Sequence, residues 1–504
     1  MKKEELKKLK SGTDVRGVAI GSGAEITLTD EAVTLFSKAF AYFLQNKLGK
    51  NNLAVAVGHD SRLSAKRIEK AVSDALTSVG EDVYVTGLSS TPSMFMALQN
   101  SPIVLDGSIM ITASHLPSER NGLKFFTKEG GLESSDIDEL IDIAEKISLG
   151  EISFDENIGK EEEFSYMPIY SEHLQKLVQN ACKCEKPLFG MKIVVDAGNG
   201  AGGFYAEVLR KLGADVSASQ FLEPDGSFPN HIPNPENVEA MDSVSKRVTE
   251  SGADLGVIFD TDVDRAAIVS EKGEEFNRNS LIALISSILL AERPGAIVTD
   301  SITSIGLKDF IVAHGGTHYR YKRGYKNVIN KAIELNSDGI YCPLAIETSG
   351  HAALKENYFL DDGAYLVTRL LIEAAKLHEK GLTLGSLIFD LKAPIEAVEV
   401  RMSFTVSDFK DYGLNVLEKF KEFAESEEGL SLETPNYEGV RVNFDKAHGN
   451  GWCLLRMSLH DPIMPLNFES DEAGGINVMA KIVYESLSAF DKLDTSNLKK
   501  IIKA

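Results

Sequence analysis

Short apolar runs rich in β-branched residues recur along this chain, and each ends in an acidic or small polar residue. They occupy residues 54–60, 193–200, 255–260 and 296–300. Continuous apolar runs of this length predict strands that are buried on both faces, as in parallel sheets covered by helices. A helical stretch follows, and the alternation predicts an α/β fold. Ligands of such folds bind beyond the carboxyl ends of the strands, where these acidic residues stand.

The chain is long enough for several domains. Its 504 residues correspond to about three to five domains of ordinary size. An acidic, weakly periodic stretch at 149–163 predicts a linker, and the pattern changes again near 392–394. Beyond that change, helices and alternating strands at 439–444 and 452–458 predict a smaller α+β domain. The expected domains are 1–165, 166–275, 276–390 and 391–504.

Charge and apolar patterning exclude some classes of partner. The formal net charge of −22 makes nucleic acid and anionic membranes poor partners. The longest apolar run, 280–291, is too short to span a bilayer and predicts a buried helix. The charged residues 1–10 do not resemble a signal or transit peptide. Four cysteines without paired spacing predict reduced thiols and hence a cytoplasmic protein.

Three carboxylates follow one apolar run at alternate positions. They are Asp260, Asp262 and Asp264, with Arg265 next in the chain. Alternate residues of a tight loop can converge on one point, and three hard oxygen ligands suit Mg²⁺, which shares its coordination shell with substrate phosphate. A solvated acidic turn would have the same composition. The buried strand before the loop, and a guanidinium that can bind phosphate through two nitrogens, favour the metal site.

A serine and a histidine stand together at the end of another apolar run. Ser114 and His115 follow residues 108–111. A hydroxyl beside an imidazole is a candidate nucleophile with a base, although a loop serine that caps a helix is the more frequent arrangement. Lys124 follows the nearby turn at Asn121 and adds a cation that can neutralise phosphate or transfer a proton.

A glycine loop after a third apolar run carries groups suited to sugar hydroxyls. Glu347, Ser349 and His351 offer a carboxylate, a hydroxyl and an imidazole, and a polar turn is the alternative. Lys322 and Arg323 belong to the densest basic stretch of this acidic chain. That stretch either faces a phosphate or forms a solvated basic surface.

Taken in order, these segments resemble the α-D-phosphohexomutase family over nearly the whole chain. The phosphoserine loop of that family, Thr-Ala-Ser-His-Asn-Pro, matches residues 112–117 at all but one position. Its Asp-x-Asp-x-Asp-Arg metal loop matches residues 260–265 completely. Further matches are the opening Gly-Thr-Asp-x-x-Arg-Gly, one residue shorter here at 12–17, Gly-x-Asp-x-Arg at 58–62, Asn-Gly-x-Lys at 121–124, and the sugar loop at 347–351.

The resemblance implies four domains around a central cleft, three of them α/β domains with mixed sheets and the last a C-terminal α+β domain. It implies a phosphosugar mutase that interconverts hexose 1-phosphate and hexose 6-phosphate, with glucose, mannose or both as the sugar. A phosphoserine at Ser114 would exchange its phosphoryl group through a hexose 1,6-bisphosphate, which would also serve as activator. The expected partner is a small phosphosugar, and the expected state is a monomer or weak homo-oligomer.

The matched motifs carry the functional residues of the family onto this chain. The expected ligands of Mg²⁺ are Ser114, Asp260, Asp262 and Asp264. The expected catalytic residues are Ser114, His115, Lys124, His351 and Arg16. The expected substrate-binding residues are Arg265, Lys322, Arg323, Glu347, Ser349, His351, Arg456 and Ser458.

Three departures from the family pattern bear on the substrate. Leu116 stands where the family has Asn, and Ile346 replaces the Gly before the sugar loop. In the last domain, residues 456–462 stand where the family has Arg-x-Ser-Gly/Asn-Thr-Glu-Pro. Of that motif, Arg456 and Ser458 remain. The leucine and histidine that follow Ser458 alter the expected site for the distal phosphate, so the preferred sugar stays open.

Three other functions are compatible with the sequence. One is a mutase for an amino sugar or another phosphosugar, which the altered last loop permits. A second is a non-catalytic phosphosugar-binding protein. A third is a phosphatase with an aspartate nucleophile at Asp260 or Asp262, which would release phosphate without Ser114.

Overall fold

The computed structural model describes residues 1–21, 25–154, 157–406, 408–458 and 461–503. The chain divides into two units, residues 1–285 with 349–387, and residues 286–348 with 388–504. Among the described residues, no helix combines the length and the apolarity needed to cross a bilayer.

The N-terminal part of the first unit is a mixed sheet with helices against it. Its strands are β1 (Lys10–Ser11), β2 (Asp14–Val18), β3 (Ala54–His59), β4 (Asp82–Leu88), β5 (Gly107–Ile111), β6 (Arg120–Thr127), β7 (Gly130–Gly131) and β8 (Glu161–Glu163). Its helices are α1 (Lys3–Lys7), α2 (Asp30–Leu48), α3 (Ala65–Thr77), α4 (Thr91–Gln99) and α5 (Ser134–Ser148). The strand order is β1-β2-β6-β5-β3-β4-β8, and β7 pairs with β6.

The central strands of this sheet are parallel, as the apolar runs predict. β3 is parallel to β4 and β5, and all of its residues after Ala54 are buried. β6 runs antiparallel to β5 and β2, and this places Lys124 opposite Met110. Gly122 allows the close approach of β2, because a Cβ there would lie 2.4 Å from the carbonyl oxygen of Val15.

Part of the predicted linker is a strand. The sequence predicts a linker over 149–163, but β8 pairs in parallel with β4 at the edge of the first sheet. All three glutamates of β8 are exposed. The strand therefore has no buried apolar face, and its sequence lacks the alternating pattern that predicts a strand. Charged residues at an edge strand also oppose pairing with another chain.

The next part of the first unit is a smaller mixed sheet. Its elements are α6 (Met167–Cys182), β9 (Ile193–Asp196), α7 (Phe204–Lys211), α8 (Val238–Ser251), β10 (Leu255–Phe259), β11 (Ala266–Ser270) and β12 (Glu275–Phe276). The strand order is β12-β11-β10-β9, with β9 and β10 parallel. β10 and β11 form an antiparallel pair, and residues 260–265 are the loop between them.

The third part of the chain contributes to both units. Its elements are α9 (Arg278–Glu292), β13 (Ala296–Thr299), α10 (Ile305–Ala313), β14 (Thr317–Arg320), α11 (Tyr325–Ser337), β15 (Leu344–Ile346), β16 (Ala352–Leu354), β17 (Leu360–Asp361) and α12 (Gly363–His378). In the second unit, β13 is parallel to β14 and β15. In the first unit, β16 and β17 form an antiparallel pair that leads into α12.

The C-terminal part of the second unit is an antiparallel sheet with helices, as predicted. Its elements are β18 (Glu396–Phe404), α13 (Lys410–Ser426), β19 (Leu430–Leu432), β20 (Val440–Phe444), β21 (Gly451–Leu455), β22 (Ile463–Ser470), α14 (Gly475–Leu487), β23 (Leu493–Asp494) and α15 (Ser496–Lys503). The strand order is β19-β20-β21-β22-β18-β23. Its core joins the inner face of the sheet to apolar residues of the helices.

Helix α2 contributes large aromatic side chains to the hydrophobic core of the first sheet. Phe36 is fully buried in the core of the first sheet. We expect Phe36→Ala to lower the free energy of unfolding by about 3–5 kcal/mol, since it leaves a cavity that the core cannot fill. Urea unfolding measures this loss. Asn46→Ala, on the exposed end of the same helix, is the matched control and should change stability by less than about 0.5 kcal/mol. Equal effects of the two variants would contradict this packing.

Candidate active site

Three aspartates of the loop between β10 and β11 converge on one point. Asp260, Asp262 and Asp264 are buried, and a carboxylate oxygen of each lies within 4.8 Å of the others. Val263, between them, has a φ of 69°, which a β-branched residue rarely adopts. The backbone N–H of Gly363, at the start of α12, donates to the Val263 carbonyl at 3.1 Å and supports this turn.

The chemistry of this cluster fits a hard divalent cation. Asp262 and Asp264 each have one buried carboxylate oxygen, Oδ1, without a hydrogen-bond partner. Burial, with the neighbouring Asp264 and Asp262, raises the pKa of Asp260 well above its ordinary value. Buried carboxylates at this separation repel one another, and a cation with oxygen ligands removes the repulsion. The three aspartates can therefore hold a metal ion.

Lys124 brings a positive charge from the first sheet to this cluster. Its Nζ donates to Asp264 Oδ2 at 2.5 Å and to Asp262 Oδ2 at 3.2 Å. Burial raises the pKa of Asp264, but Lys124, His351 and Arg265 outweigh it and hold that pKa below its usual value. The ammonium group thus neutralises part of the charge of the metal loop.

The Ser114 hydroxyl lies against the same cluster. Its Oγ donates to Asp260 Oδ2 at 3.1 Å and lies 3.3 Å from Nδ1 of His115. Ser114 has a φ of 53°, and its backbone N–H donates to Thr112 Oγ1 at 2.9 Å. Burial, Arg265 and Arg16 lower the pKa of His115 to about 2, so its imidazole is neutral near neutral pH. The hydroxyl therefore contacts a carboxylate and a neutral imidazole, which its low pKa makes a weak base.

Arg62 supports the serine loop, and the sequence points to it only through the Gly-x-Asp-x-Arg match. Its buried guanidinium donates to the carbonyl oxygens of Ser114, Leu116 and Pro117 in the loop between β5 and β6, and to that of Arg120 at the start of β6. The distances are 2.5 to 2.8 Å. Charge-assisted hydrogen bonds of this kind are stronger than neutral ones. One side chain thus supports much of the loop that carries Ser114.

The start of helix α4 also contacts the loop of the three aspartates. The backbone N–H of Thr91 donates to the Asp262 carbonyl at 2.8 Å, and its hydroxyl donates to Asp262 Oδ2. Ser90 caps this helix through a hydrogen bond from Ser93 N. An anion at a helix N-terminus is favoured by the helix dipole. Sequence analysis missed Thr91, although the Ser90 cap and the proline at 92 mark a helix start there.

Arg265 and His351 meet beside the metal loop. The Arg265 Nε donates to His351 Nε2 at 2.8 Å, and its Nη1 lies 3.4 Å from Glu236 Oε2. His351 Nδ1 lies 2.5 Å from Asp361 Oδ2, and the other oxygen of Asp361 accepts from Ala352 N at 3.0 Å. Burial lowers the pKa of His351 and Asp361 raises it, with a net upward shift. Asp361 has no motif around it and was not predicted.

Arg16 and Ser349 complete the predicted residues of the first unit. Arg16 lies on β2, next to β6, and its Nη2 is 2.7 Å from Asp14 Oδ2. Its charge contributes to the low pKa of His115. Ser349 is buried in the loop before β16. The first unit therefore brings together Ser114, His115, Lys124, the three aspartates, Arg265 and His351, with Arg16 close enough to act through its charge.

The second unit gathers a separate polar group around Arg323. Its Nε lies 3.4 Å from Asp300 Oδ2, and its backbone N–H donates to Glu438 Oε2 at 3.2 Å. Glu347 is buried and accepts from Gly324 N at 2.6 Å. Burial raises the pKa of Asp300, Arg323 opposes this and Glu347 adds to it, and the resulting pKa is about 6. Lys322, by contrast, is exposed.

Arg456 lies near this group in the same unit. It is buried, and burial followed by the charge of Arg323 lowers its pKa. Two guanidinium groups that repel each other are typical of a place that binds an anion. Ser458 Oγ accepts from Asp461 N at 3.3 Å. Residues 459 and 460 of the altered loop lie outside the described residues.

Comparisons with known proteins place these motifs in one family. Family models of phosphoglucomutase/phosphomannomutase match the chain as alpha/beta/alpha domain I at residues 7–151, domain II at 168–273 and domain III at 277–392. The phosphomannomutase/phosphoglucomutase of Pseudomonas aeruginosa is 30% identical over 489 residues, which cover 95% of each chain. The phosphoglucomutase of Neisseria gonorrhoeae is 31% identical over 92% of this chain and 93% of its own.

Solved structures agree with the sequence relatives. A crystal structure of a phosphoglucomutase/phosphomannomutase family protein from Burkholderia thailandensis has a TM-score of 0.79 at 26% identity, covering 97% of this chain and 98% of that chain. Parafusin, a phosphoglucomutase from Paramecium, shares the fold with a TM-score of 0.71 at 17% identity, covering 98% of this chain and 95% of its own. By its three matched domains and its relatives, this chain belongs to the phosphoglucomutase/phosphomannomutase family.

Proposed function

We propose that this protein interconverts hexose 1-phosphate and hexose 6-phosphate, with glucose, mannose or both as the sugar, through a phosphoserine at Ser114. The observation that carries the proposal is the contact between the Ser114 hydroxyl and Asp260, at 3.1 Å, within a buried cluster of three aspartates. A serine that merely caps a helix has no need of such a cluster. The activity of its relatives, named phosphoglucomutase and phosphomannomutase, supports the same reaction.

In the proposed reaction, the phosphoryl group moves from Ser114 Oγ to the free hydroxyl of a bound sugar phosphate. The serine oxygen keeps the bond electrons, the sugar hydroxyl loses its proton to a base, and a hexose 1,6-bisphosphate forms. The other phosphoryl group then returns to Ser114 by the reverse chemistry. The same bisphosphate, supplied from outside, would phosphorylate a free Ser114 and so act as the activator.

Positioning and charge neutralisation dominate phosphoryl transfer, and the first unit supplies both. Arg62 orients the serine loop through its carbonyl groups. Lys124, Arg265 and Arg16 would neutralise charge on the transferred group. Lys124 is the acid–base candidate closest to the metal loop. His115 can hydrogen-bond to the Ser114 hydroxyl, but its low pKa makes it a weak base.

Asp260, Asp262, Asp264 and Ser114 would hold Mg²⁺, whose charge would offset that of the phosphoserine oxygens. The partnerless oxygens of Asp262 and Asp264 support this assignment. In the second unit, Arg323 and Arg456 would bind the phosphate of the substrate, and Glu347 would bind sugar hydroxyls. Ser349 is likewise proposed to bind substrate. Lys322 and Ser458 would add contacts to the phosphate.

The cellular location and the oligomeric state of the protein are also proposed. All four cysteines are free thiols, which supports a reducing compartment such as the cytoplasm. We expect a monomer or a weak homo-oligomer that binds a small phosphosugar.

The first test is turnover of glucose 1-phosphate, mannose 1-phosphate and glucosamine 1-phosphate, each offered with Mg²⁺ and a trace of glucose 1,6-bisphosphate. We expect a 6-phosphate product from glucose or mannose. Ser114→Ala should lower kcat by more than about a thousandfold, as the loss of a nucleophile does. Intact-mass measurement should find phosphate on the wild-type protein and none on this variant.

Ser118→Ala, a serine of the same loop, is the matched control and should retain activity. Fastest turnover of the amino sugar would reassign the substrate. Phosphate release that survives Ser114→Ala would indicate a phosphatase, and binding without turnover would indicate a phosphosugar-binding protein.

The metal assignment predicts a second result. Asp262→Asn should weaken Mg²⁺ binding at least about tenfold, because it removes one of three buried charges that face the ion. Isothermal titration of the metal-free protein with Mg²⁺ measures this. Asp242→Asn removes an exposed carboxylate of the same domain and should leave the affinity unchanged. Equal affinities in both variants would place the metal elsewhere.

A further inference from the structure

One buried arginine of the C-terminal sheet holds a loop that belongs to a different sheet of the second unit. Arg441 lies on β20, and 1% of its surface is exposed. Its guanidinium donates to the carbonyl oxygen of Ser301 at 2.9 Å and to that of Thr303 at 3.2 Å. Both carbonyl groups belong to the loop that follows β13. Arg441 thus binds this loop at two points through charge-assisted hydrogen bonds.

The one tryptophan of the chain orients the guanidinium of Arg441. The Arg441 Cζ lies 3.5 Å from the centre of the Trp452 ring, which comes from the neighbouring strand β21. The indole Nε1 donates to Glu469 Oε2 at 2.8 Å, and this bond fixes the ring in turn. Attraction between a cation and an indole face is stronger where both are shielded from water, as they are here.

The loop that Arg441 holds also carries Asp300, which contacts two groups of the proposed substrate site. Asp300 Oδ2 lies 3.4 Å from Arg323 Nε. The Asp300 carboxylate also accepts from Thr348 N at 3.2 Å and from Thr348 Oγ1 at 2.7 Å. Thr348 follows Glu347 directly in the chain. The position of Asp300 therefore bears on both Arg323 and Glu347.

A second path joins the same loop to Arg323. The Ser301 hydroxyl donates to Glu438 Oε2, and the same oxygen accepts the backbone N–H of Arg323 at 3.2 Å. Glu438 lies just before β20, close in the chain to Arg441. A displacement of the loop would therefore disturb both the side chain and the backbone of Arg323.

We propose that Arg441 is a positioning residue, which acts through residues 300–303 to place Arg323 and Glu347 for the phosphosugar. This inference rests on the proposed mutase function, in which those two residues bind substrate. The guanidinium of Arg441 is engaged by the loop and by the Trp452 ring, so its effect on the substrate is indirect. Ser114 and the metal loop belong to the first unit. Arg441 should therefore affect the affinity for substrate far more than the rate of phosphoryl transfer.

Arg441→Lys keeps the charge but loses the planar fork that reaches two carbonyl groups while it lies against a ring. We expect it to weaken the binding of glucose 1-phosphate and mannose 1-phosphate by about 5- to 30-fold. Isothermal titration measures this in a Ser114→Ala background, where turnover cannot interfere. In the otherwise wild-type chain, KM should rise by a similar factor, and kcat should change by less than about threefold. The affinity for Mg²⁺ and the phosphate content of Ser114 should stay the same.

Arg293→Lys is the matched control. The Arg293 Cζ lies 4.0 Å from the centre of the Tyr341 ring in the same unit, but Arg293 precedes β13, whereas the loop follows that strand. This variant should leave the affinity for both phosphosugars unchanged. Trp452→Phe is a second, milder variant of the positioning pair. It keeps a ring that attracts a cation less strongly than indole does, and it should weaken binding by about two- to threefold.

The outcomes separate this inference from its alternatives. Unchanged affinity in Arg441→Lys, or equal losses in Arg441→Lys and Arg293→Lys, overturns it. A loss of kcat or of Mg²⁺ affinity as large as the loss of substrate affinity also overturns it, because it indicates a general structural role. If Arg441→Lys does not fold, Trp452→Phe decides, and unchanged affinity there overturns the inference.

Failure of the proposed function gives a different result. A parent protein that binds neither phosphosugar rejects that function, and the inference with it. A parent protein that binds a phosphosugar no better than Arg441→Lys does rejects the inference alone.

Discussion

The convergence of three buried carboxylates is the constraint around which the first unit is organised. Asp260, Asp262 and Asp264 are buried together, and such a group is unstable unless cations and N–H donors compensate it. The chain supplies Lys124 from the first sheet, Thr91 from a helix N-terminus, and Arg265 from the loop itself. Lys124 lies on β6, Thr91 begins α4 and Arg265 ends the loop after β10.

The apolar and acidic patterns of the sequence predicted the strands and the acidic loop, because these features depend on residues close together in the chain. The runs at 54–60 and 255–260 are strands because their apolar side chains are buried on both faces. The acidic residues after β10 lie in a tight loop because an antiparallel partner follows at once. Strand β8 escaped prediction because its three exposed glutamates leave no apolar periodicity.

Contacts between distant residues lay beyond what the sequence alone can establish. Thr91 and Asp262 are 171 positions apart, and nothing in the sequence around Thr91 indicates a carboxylate partner. Arg62 was visible only as part of a family motif, and its role depends on four carbonyl groups whose directions no side-chain pattern encodes. Asp361 lies beside Asp362, and only the fold distinguishes their tasks, since one faces His351 and the other a helix start.

The two hydrogen bonds from Thr91 to Asp262 also have a consequence for folding. Its backbone and side-chain bonds, with those of Lys124, join two sheets that each have a core of their own. Unfolding of either sheet alone would leave buried charge of the other without its partner, so we expect the two sheets to unfold in one cooperative transition. A cation bound by the three aspartates would therefore stabilise both sheets together, by an amount that grows with its affinity for the folded protein.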